Sequence, residues 1–248
     1  MLTIGLVGGM SWHSTATYYQ RVNERVAAHR GGHASARVSL QSLDFSEVRD
    51  CQVRGDWEGS ARLLADAARR CEAGGADLVG LCTNLMHKNF AALEDAVEVP
   101  AVHIADAVAA VARAHGWTTL GLLGARWVME ETFYAERLAA HGITVVVPDA
   151  AGRELVDRVV FEEITQGRFL EESRAAYVDV MHDLATRGAD AAVLACTEIG
   201  LLVGPDDAPV PTIDSATAHA DLLADLALGL VAADDVQPST AGLSPAGA

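Results

Sequence analysis

Lysine is almost missing from this sequence. Lys88 is the only one, so the other 17 of the 18 basic residues are arginine. Pyridoxal-phosphate chemistry needs a lysine for its Schiff base. The sole candidate sits in Met86-His87-Lys88-Asn89, with no phosphate-cradling glycine-rich loop beside it. We therefore expect no such cofactor. Positive charge is scarce altogether: 34 acidic residues stand against 18 basic ones, for a net charge of −16. A phosphate backbone would be repelled, and no basic stripe with interleaved aromatics occurs in a chain only 5% aromatic. Nucleic acid is not an expected partner. No apolar run reaches the roughly 18 residues a membrane span requires, so no membrane partner is expected either. The first residues enter Thr3-Ile4-Gly5-Leu6-Val7 without a basic flank or cleavable leader, which gives the expectation of a cytoplasmic protein.

Paired-cysteine spacings are absent as well. The four cysteines stand at 51, 71, 82 and 196, and no two have CxxC or zinc-finger spacing. This argues against a structural metal site, and a cytosolic chain is a poor setting for disulfides. We expect no metal, and each thiol has to be read by itself.

What the chain does contain is a repeat. Thr3-Ile4-Gly5-Leu6-Val7-Gly8-Gly9 matches Thr119-Leu120-Gly121-Leu122-Leu123-Gly124-Ala125, 116 positions on. Gly75-Ala76-Asp77, leading to Leu81-Cys82-Thr83-Asn84, matches Gly188-Ala189-Asp190, leading to Ala195-Cys196-Thr197-Glu198, and the cysteines lie 114 apart. Val99-Pro100-Ala101-Val102 matches Val210-Pro211-Thr212-Ile213, 111 apart. Three similar offsets in the same order indicate an internal duplication.

Each landmark is a short apolar run bounded by Gly, Pro or Asp, the pattern of a central strand in a parallel sheet. Helical patterns separate them. Ser11 or Ser14 is placed to cap a helix with Tyr18, Val22 and Val26 on one face. Residues 59–73 carry Ala61, Leu64, Ala68 and Cys71 on one stripe, and residues 171–187 carry Tyr177, Val180, Met181 and Leu184. Strand–helix alternation predicts an α/β fold of two pseudo-symmetric lobes, each a parallel sheet flanked by helices, with the active site in the cleft between them. The lobes are predicted over 1–99 and 100–209, with 210–232 crossing back onto the first. The Pro-, Ser-, Gly- and Ala-rich stretch 233–248 is predicted to be disordered.

Cys71 lies on an apolar helical stripe and reads as a small core residue. Cys51 reads as incidental in a polar loop, Arg49-Asp50-Cys51-Gln52. Cys82 and Cys196 differ. Each ends a predicted strand and precedes a polar pair opening a helix, the edge at which open α/β sheets bind ligands. A helix N-terminus there suits a carboxylate and lowers a thiol pKa. A twofold-related pair would place one thiol on each face of a bound carbon. Inverting an α-carbon needs a base on one face and an acid on the other. Donors for the resulting enediolate-like state are sought among Thr83, Asn84, Thr197 and Glu198. His87 reads equally as a group behind the site or a solvent-facing one, His103 and His219 as structural, and Glu198 as tuning Cys196 or capping its helix.

With Gly8-Gly9-Met10-Ser11-Trp12, Leu43-Asp44-Phe45, Gly55-Asp56-Trp57-Glu58, Cys82-Thr83-Asn84, Met86-His87-Lys88, His103-Ile104-Ala105-Asp106, Gly124 to Tyr134, Glu171-Glu172-Ser173-Arg174 and Cys196-Thr197-Glu198-Ile199-Gly200, the chain resembles the aspartate/glutamate racemases up to about residue 232. These belong to the wider Asp/Glu/hydantoin racemase superfamily, and the broad-specificity amino-acid racemases are the nearest branch. The resemblance implies amino-acid racemisation without any cofactor, a homodimer, and Cys82 and Cys196 as the proton donor–acceptor pair. It places Met10, Gln52, Thr83, Asn84, Thr197 and Glu198 at substrate-contacting positions, with Ser11 and Leu85 beside them. Leu85 and Ala125 stand where that branch has threonine. The lysine that aspartate-specific members carry is missing from Ile164-Thr165-Gln166-Gly167, leaving Arg49 as the available substitute. Maleate cis–trans isomerisation, which also uses paired cysteines, and a non-catalytic ligand-binding α/β protein are the alternative readings.

Overall fold

The repeat is visible in the computed structural model, which describes residues 1–238, as two four-stranded sheets of identical order. The first contains β1 (Thr3–Gly8), β2 (Arg37–Ser42), β3 (Leu78–Leu81) and β4 (Ala101–Val102). The second contains β5 (Thr119–Gly124), β6 (Thr144–Val146), β7 (Ala191–Ala195) and β8 (Thr212–Asp214). Their orders are β2-β1-β3-β4 and β6-β5-β7-β8, with every pairing parallel. The three sequence landmarks are β1 and β5, β3 and β7, β4 and β8. The central pairs are almost wholly buried and so read as unbroken apolar runs. β2 and β6 lie at sheet edges, half exposed, and carry no shared motif.

The duplicated Gly-Ala-Asp turn does the same work in each lobe. Asp77 accepts a hydrogen bond from the Thr3 amide at 2.6 Å and donates its own amide to the Thr3 carbonyl. Asp190 accepts from the amides of Thr118 and Thr119 at 2.8 and 2.9 Å and donates to the Thr119 carbonyl. Both aspartates thus fix the start of the sheet's first central strand. In the same turn Cys71 and Leu184 hold matching places, each carbonyl accepting from the alanine of the motif. Cys71 is accordingly a fully buried core residue.

The lobe boundaries differ from the sequence reading. A break before residue 100 separates β4 from β3, its neighbour in the first sheet. A break before 210 separates β8 from β7, its neighbour in the second. The Val-Pro signal marks the approach to a closing strand in each half, so the divisions fall after those strands. The helix Ser215–Leu228 packs on the first-lobe helix Trp12–Arg30 and on Ile104–His115, its counterpart after β4. Gly80 in β3 is where it comes closest, since a Cβ there would meet the Leu223 side chain at 2.5 Å. A single core cluster combines Leu81, Met86 and Val108 of the first half with Leu122, Tyr134 and Leu138 of the second.

The predicted disorder of 233–248 is corrected over its first part. Ala233–Asp235 forms a short 3-10 turn and Val236 is buried against the first-lobe core, burying apolar area that the bias toward small residues concealed. Residues 239–248 lie outside the described residues. No helix among the described residues is long and apolar enough to cross a membrane.

Candidate active site

A cleft of about 200 Å³ opens at the carboxyl ends of the strands, between the two sheets. After β1 the chain turns sharply at Gly9, where φ is 91° and a Cβ would run into the Leu43 backbone. Only glycine permits that approach, and it delivers Met10 and Ser11 to the cleft. The helix Phe45–Arg54 adds Phe45, Arg49 and Gln52. The turn after β3 adds Thr83, Asn84 and Leu85, and the end of β7 adds Cys196, Thr197 and Glu198. Every residue expected to bind substrate therefore lines one cavity, together with Cys196. Cys82 does not. It is fully buried, packed in the first-lobe core with Ile4, Leu6 and Tyr18.

The two cysteines sit at equivalent strand ends in unlike surroundings. Cys196 is partly open and donates its S–H to Glu198 Oε2 at 3.2 Å. Thr197 donates to the same oxygen at 2.6 Å. Ser14, on the first-lobe helix, reaches across with its Oγ 2.6 Å from Thr197 Oγ1 and 3.2 Å from Glu198 Oε1. The two hydroxyls have two protons for these three contacts, and together they hold the Glu198 carboxylate. Ser14 therefore does not cap its own helix, and Ser11, at the cap position, makes no side-chain cap bond. Thr15 does the local work instead, accepting from the Gly9 amide at 2.8 Å.

Behind Cys82 lies a set of buried neutral imidazoles. His219 donates from Nε2 to the Val102 carbonyl and accepts the Tyr18 hydroxyl at Nδ1, both at 3.0 Å. His87 donates from Nδ1 to the Thr83 carbonyl at 2.7 Å and accepts the Ile104 amide at Nε2. His103 accepts the Ala105 amide at Nδ1 and packs against His87. These bonds fix each tautomer. Burial lowers His87 to a pKa of about 3 and His219 to about 4, and holds His103 well below its ordinary value. His87 is thus a buried group holding the Thr83 carbonyl, adjacent to Cys82.

A lowered thiol pKa is not what the fold provides. Burial pushes both thiols up, and at Cys196 the Glu198 charge adds to it. The anticipated helix N-termini are weak: a 3-10 turn, Leu85–Asn89, follows Cys82, and only four helical residues, Ile199–Leu202, follow Cys196. Cys51 is also corrected. It is buried on the helix Phe45–Arg54 rather than in a loop, because Asp44 caps that segment through the Ser46 amide.

Asn84 supplies the clearest sign that something binds. It lines the cleft at 4% exposure, yet neither its Nδ2 nor its Oδ1 has a hydrogen-bond partner. Leaving such groups unpaired costs about 1–3 kcal/mol each. Arg49 lies over the Phe161 ring and donates to Gln52 Oε1 at 3.1 Å. Lys88 pairs with Glu131 at 2.7 Å and sits over Trp57, apart from the cleft. Among the described residues no three His, Cys, Asp or Glu side chains converge as a metal site would. The sequence reading missed Ser14, which it treated as a cap, and the apolar wall of Val128, Val160 and Phe161. Wall residues carry no motif because they differ in no way from core positions until the opposite lobe is in place.

Comparisons with known proteins agree with this architecture. The sequence pattern of the Asp/Glu/Hydantoin racemase family matches residues 7–223. The structure superposes on that of a candidate Asp/Glu racemase from Yersinia pestis with a TM-score of 0.88 at 44% identity, covering 92% of this chain and 100% of that one. An aspartate racemase homologue from Pyrococcus horikoshii OT3 gives 0.80 at 30% identity over 92% and 100% of the two chains. The broad specificity amino-acid racemase RacX of Bacillus subtilis (strain 168) is 22% identical over 220 residues, 88% of this chain and 94% of that protein. On these matches and the duplicated fold beneath them, the chain belongs to the Asp/Glu/hydantoin racemase family of isomerases.

Proposed function

We propose that this enzyme racemises free amino acids at Cα, with Cys196 and Cys82 acting from opposite faces. The observation that carries the reading is Cys196 in the cleft wall, hydrogen-bonded to Glu198 and facing a strand end that carries its duplicate, Cys82. Cys196 starts protonated, because burial and the neighbouring charge both resist its ionisation. Passing its proton to Glu198 leaves the charge of the pair unchanged, which avoids two adjacent anions. The thiolate then removes the α-proton, and the electron pair from the broken C–H bond moves into the carboxylate as an enediolate. Cys82 returns a proton to the opposite face, ending as thiolate, and after product release it regains a proton from solvent while Glu198 gives its own up. The reverse direction exchanges the roles. Cys82 is buried one residue before Thr83, which lines the cleft, so the scheme requires the turn after β3 to move and admit it to the carbon. Protein thiols perform both transfers, so the scheme requires no pyridoxal phosphate.

In deuterated water the inverted product should carry solvent deuterium at Cα, read by mass spectrometry. Cys196→Ser and Cys82→Ser should each abolish inversion. Full activity in Cys82→Ser would leave a one-thiol reaction and overturn the two-base scheme.

A further inference from the structure

Resting on the two-thiol reading above, we propose that Lys88 is a positioning residue for Cys82: it ties the turn after β3 to the opposite lobe and sets when that thiol is uncovered. The turn, residues 83–89, runs directly on from Cys82 and supplies Thr83, Asn84 and Leu85 to the cleft. Two of its polar side chains fasten it to itself and to the first lobe. His87 holds the Thr83 carbonyl at 2.7 Å, and Asn89 Nδ2 donates to the Trp57 carbonyl at 3.0 Å and to Ser60 Oγ at 2.7 Å. Lys88 reaches the other way. Its Nζ stands 2.7 Å from both Oε1 and Oε2 of Glu131 and 3.9 Å from the centre of the Trp57 ring. Glu131 joins the second-lobe helices Arg126–Glu130 and Thr132–Ala139, just beyond Ala125 and Val128 of the cleft wall. Trp127, from the same segment, packs edge-on against Trp57 with 6.3 Å between centroids, so the ion pair sits at an aromatic contact between the lobes.

Composition points to a particular demand at this position. Arginine serves at the other 17 basic positions, and Lys88 is the exception. A guanidinium is a planar fork, whereas an ammonium is a compact point charge that can meet two carboxylate oxygens and a ring face at once. Neither Lys88 nor Glu131 lines the cleft, so the pair does not hold substrate. Its role is mechanical. While the pair is intact the turn stays over Cys82 and moves with the second lobe. Once the pair is broken the turn is fastened to its own lobe alone, and Cys82 is neither kept covered nor delivered to the carbon.

Lys88→Met and Glu131→Gln break the tie from either side, and the second keeps the lysine over Trp57 should the first fold poorly. Iodoacetamide added to the full chain without substrate should modify Cys82 at least about fivefold faster than in the native enzyme, read by peptide mass mapping, while the buried Cys71 stays protected. An unchanged Cys82 rate in either folded variant, or a parallel rise at Cys71, overturns the proposal. The chemistry gives a second readout. Cys196 alone can remove the α-proton, trade it with solvent and return a deuteron to the same face, whereas inversion needs Cys82. In deuterated water the variants should therefore raise the ratio of Cα exchange with retention to inversion by about tenfold or more for one of the two enantiomers. The substrate is whichever of alanine, homoserine, aspartate and glutamate the native enzyme inverts fastest. A ratio unchanged for both enantiomers overturns the proposal and leaves the racemase reading intact. No exchange and no inversion by the native enzyme on any of the four overturns the racemase reading, and the alkylation rates then decide by themselves whether the tie covers Cys82.

Discussion

Ser14 Oγ lies 2.6 Å from Thr197 Oγ1, joining hydroxyls 183 residues apart in sequence and on opposite lobes. With Thr197, this serine forms the hydroxyl pair that holds the carboxylate facing the Cys196 thiol. The two lobes are therefore tied at the point where the chemistry is placed. Removing the tie should loosen Glu198 without opening a cavity. Hydrogen bonds to charged groups contribute about 1.5–3 kcal/mol, so Ser14→Ala should lower kcat/KM by roughly ten- to a hundredfold. Thermal unfolding should move by only a few degrees. Unchanged kinetics would mean that Glu198 is held without the tie.

If Glu198 receives the Cys196 proton, ionising the thiol does not require losing a proton to solvent. The kcat/KM of the native enzyme should then be nearly flat from about pH 6 to 9. In Glu198→Gln the acceptor is gone while burial still holds the thiol above its ordinary value of 9.0. Its thiolate fraction, and with it log kcat/KM, should rise about one unit per pH unit over that range. The variant should be weakest at acid pH and recover toward alkaline pH. Parallel profiles for the two proteins would exclude the proton transfer.

The unequal placement of the thiols gives a chemical signature. Cys196 is partly open to the cleft, whereas Cys82 and Cys71 are fully buried. Limited treatment of the native enzyme with iodoacetamide at mildly alkaline pH should modify Cys196 ahead of Cys82 by about tenfold or more, located by peptide mass mapping. Modification of Cys82 first would show that the cleft opens toward it in the free enzyme.

The contrast between these cysteines also marks how far the sequence was legible. The duplication exposed the fold because buried parallel strands must be apolar runs, and runs bounded by Gly, Asp and Pro can be matched by eye. It also pointed to Thr83, Asn84, Thr197 and Glu198, since strand ends and the turns after them set the position of a cleft, whereas Met10 and Gln52 came from the resemblance to the racemases. It could not separate Cys82 from Cys196. Exposure and partners come from the opposite lobe, and Ser14 and Glu198 are brought together only on folding. The thiol pKa went the other way for a related reason. A helix opening is visible in sequence, whereas its brevity and the burial around it are not. β2 and β6 escaped because they are half exposed, so few of their positions are held to apolar side chains.

The three imidazoles behind Cys82 should make the fold sensitive to acid before its carboxylates titrate. His87 is held at about 3 and His219 at about 4, with His103 also depressed, against an ordinary value of 6.5. A group whose folded pKa lies below its unfolded value contributes stability that is full above the unfolded value and lost as pH falls. Between about pH 6.5 and 5 the unfolded chain takes up as many as three protons that these sites refuse, so the slope should approach roughly 4 kcal/mol per pH unit at the acid end. Urea unfolding at closely spaced pH values measures it. His103→Asn preserves an acceptor for the Ala105 amide, so the helix Ile104–His115 keeps its cap. It should remove about one third of the slope, one proton of three, whatever its effect on stability at neutral pH. An unaltered slope would mean that His103 accepts its proton in the folded enzyme as readily as in the unfolded chain.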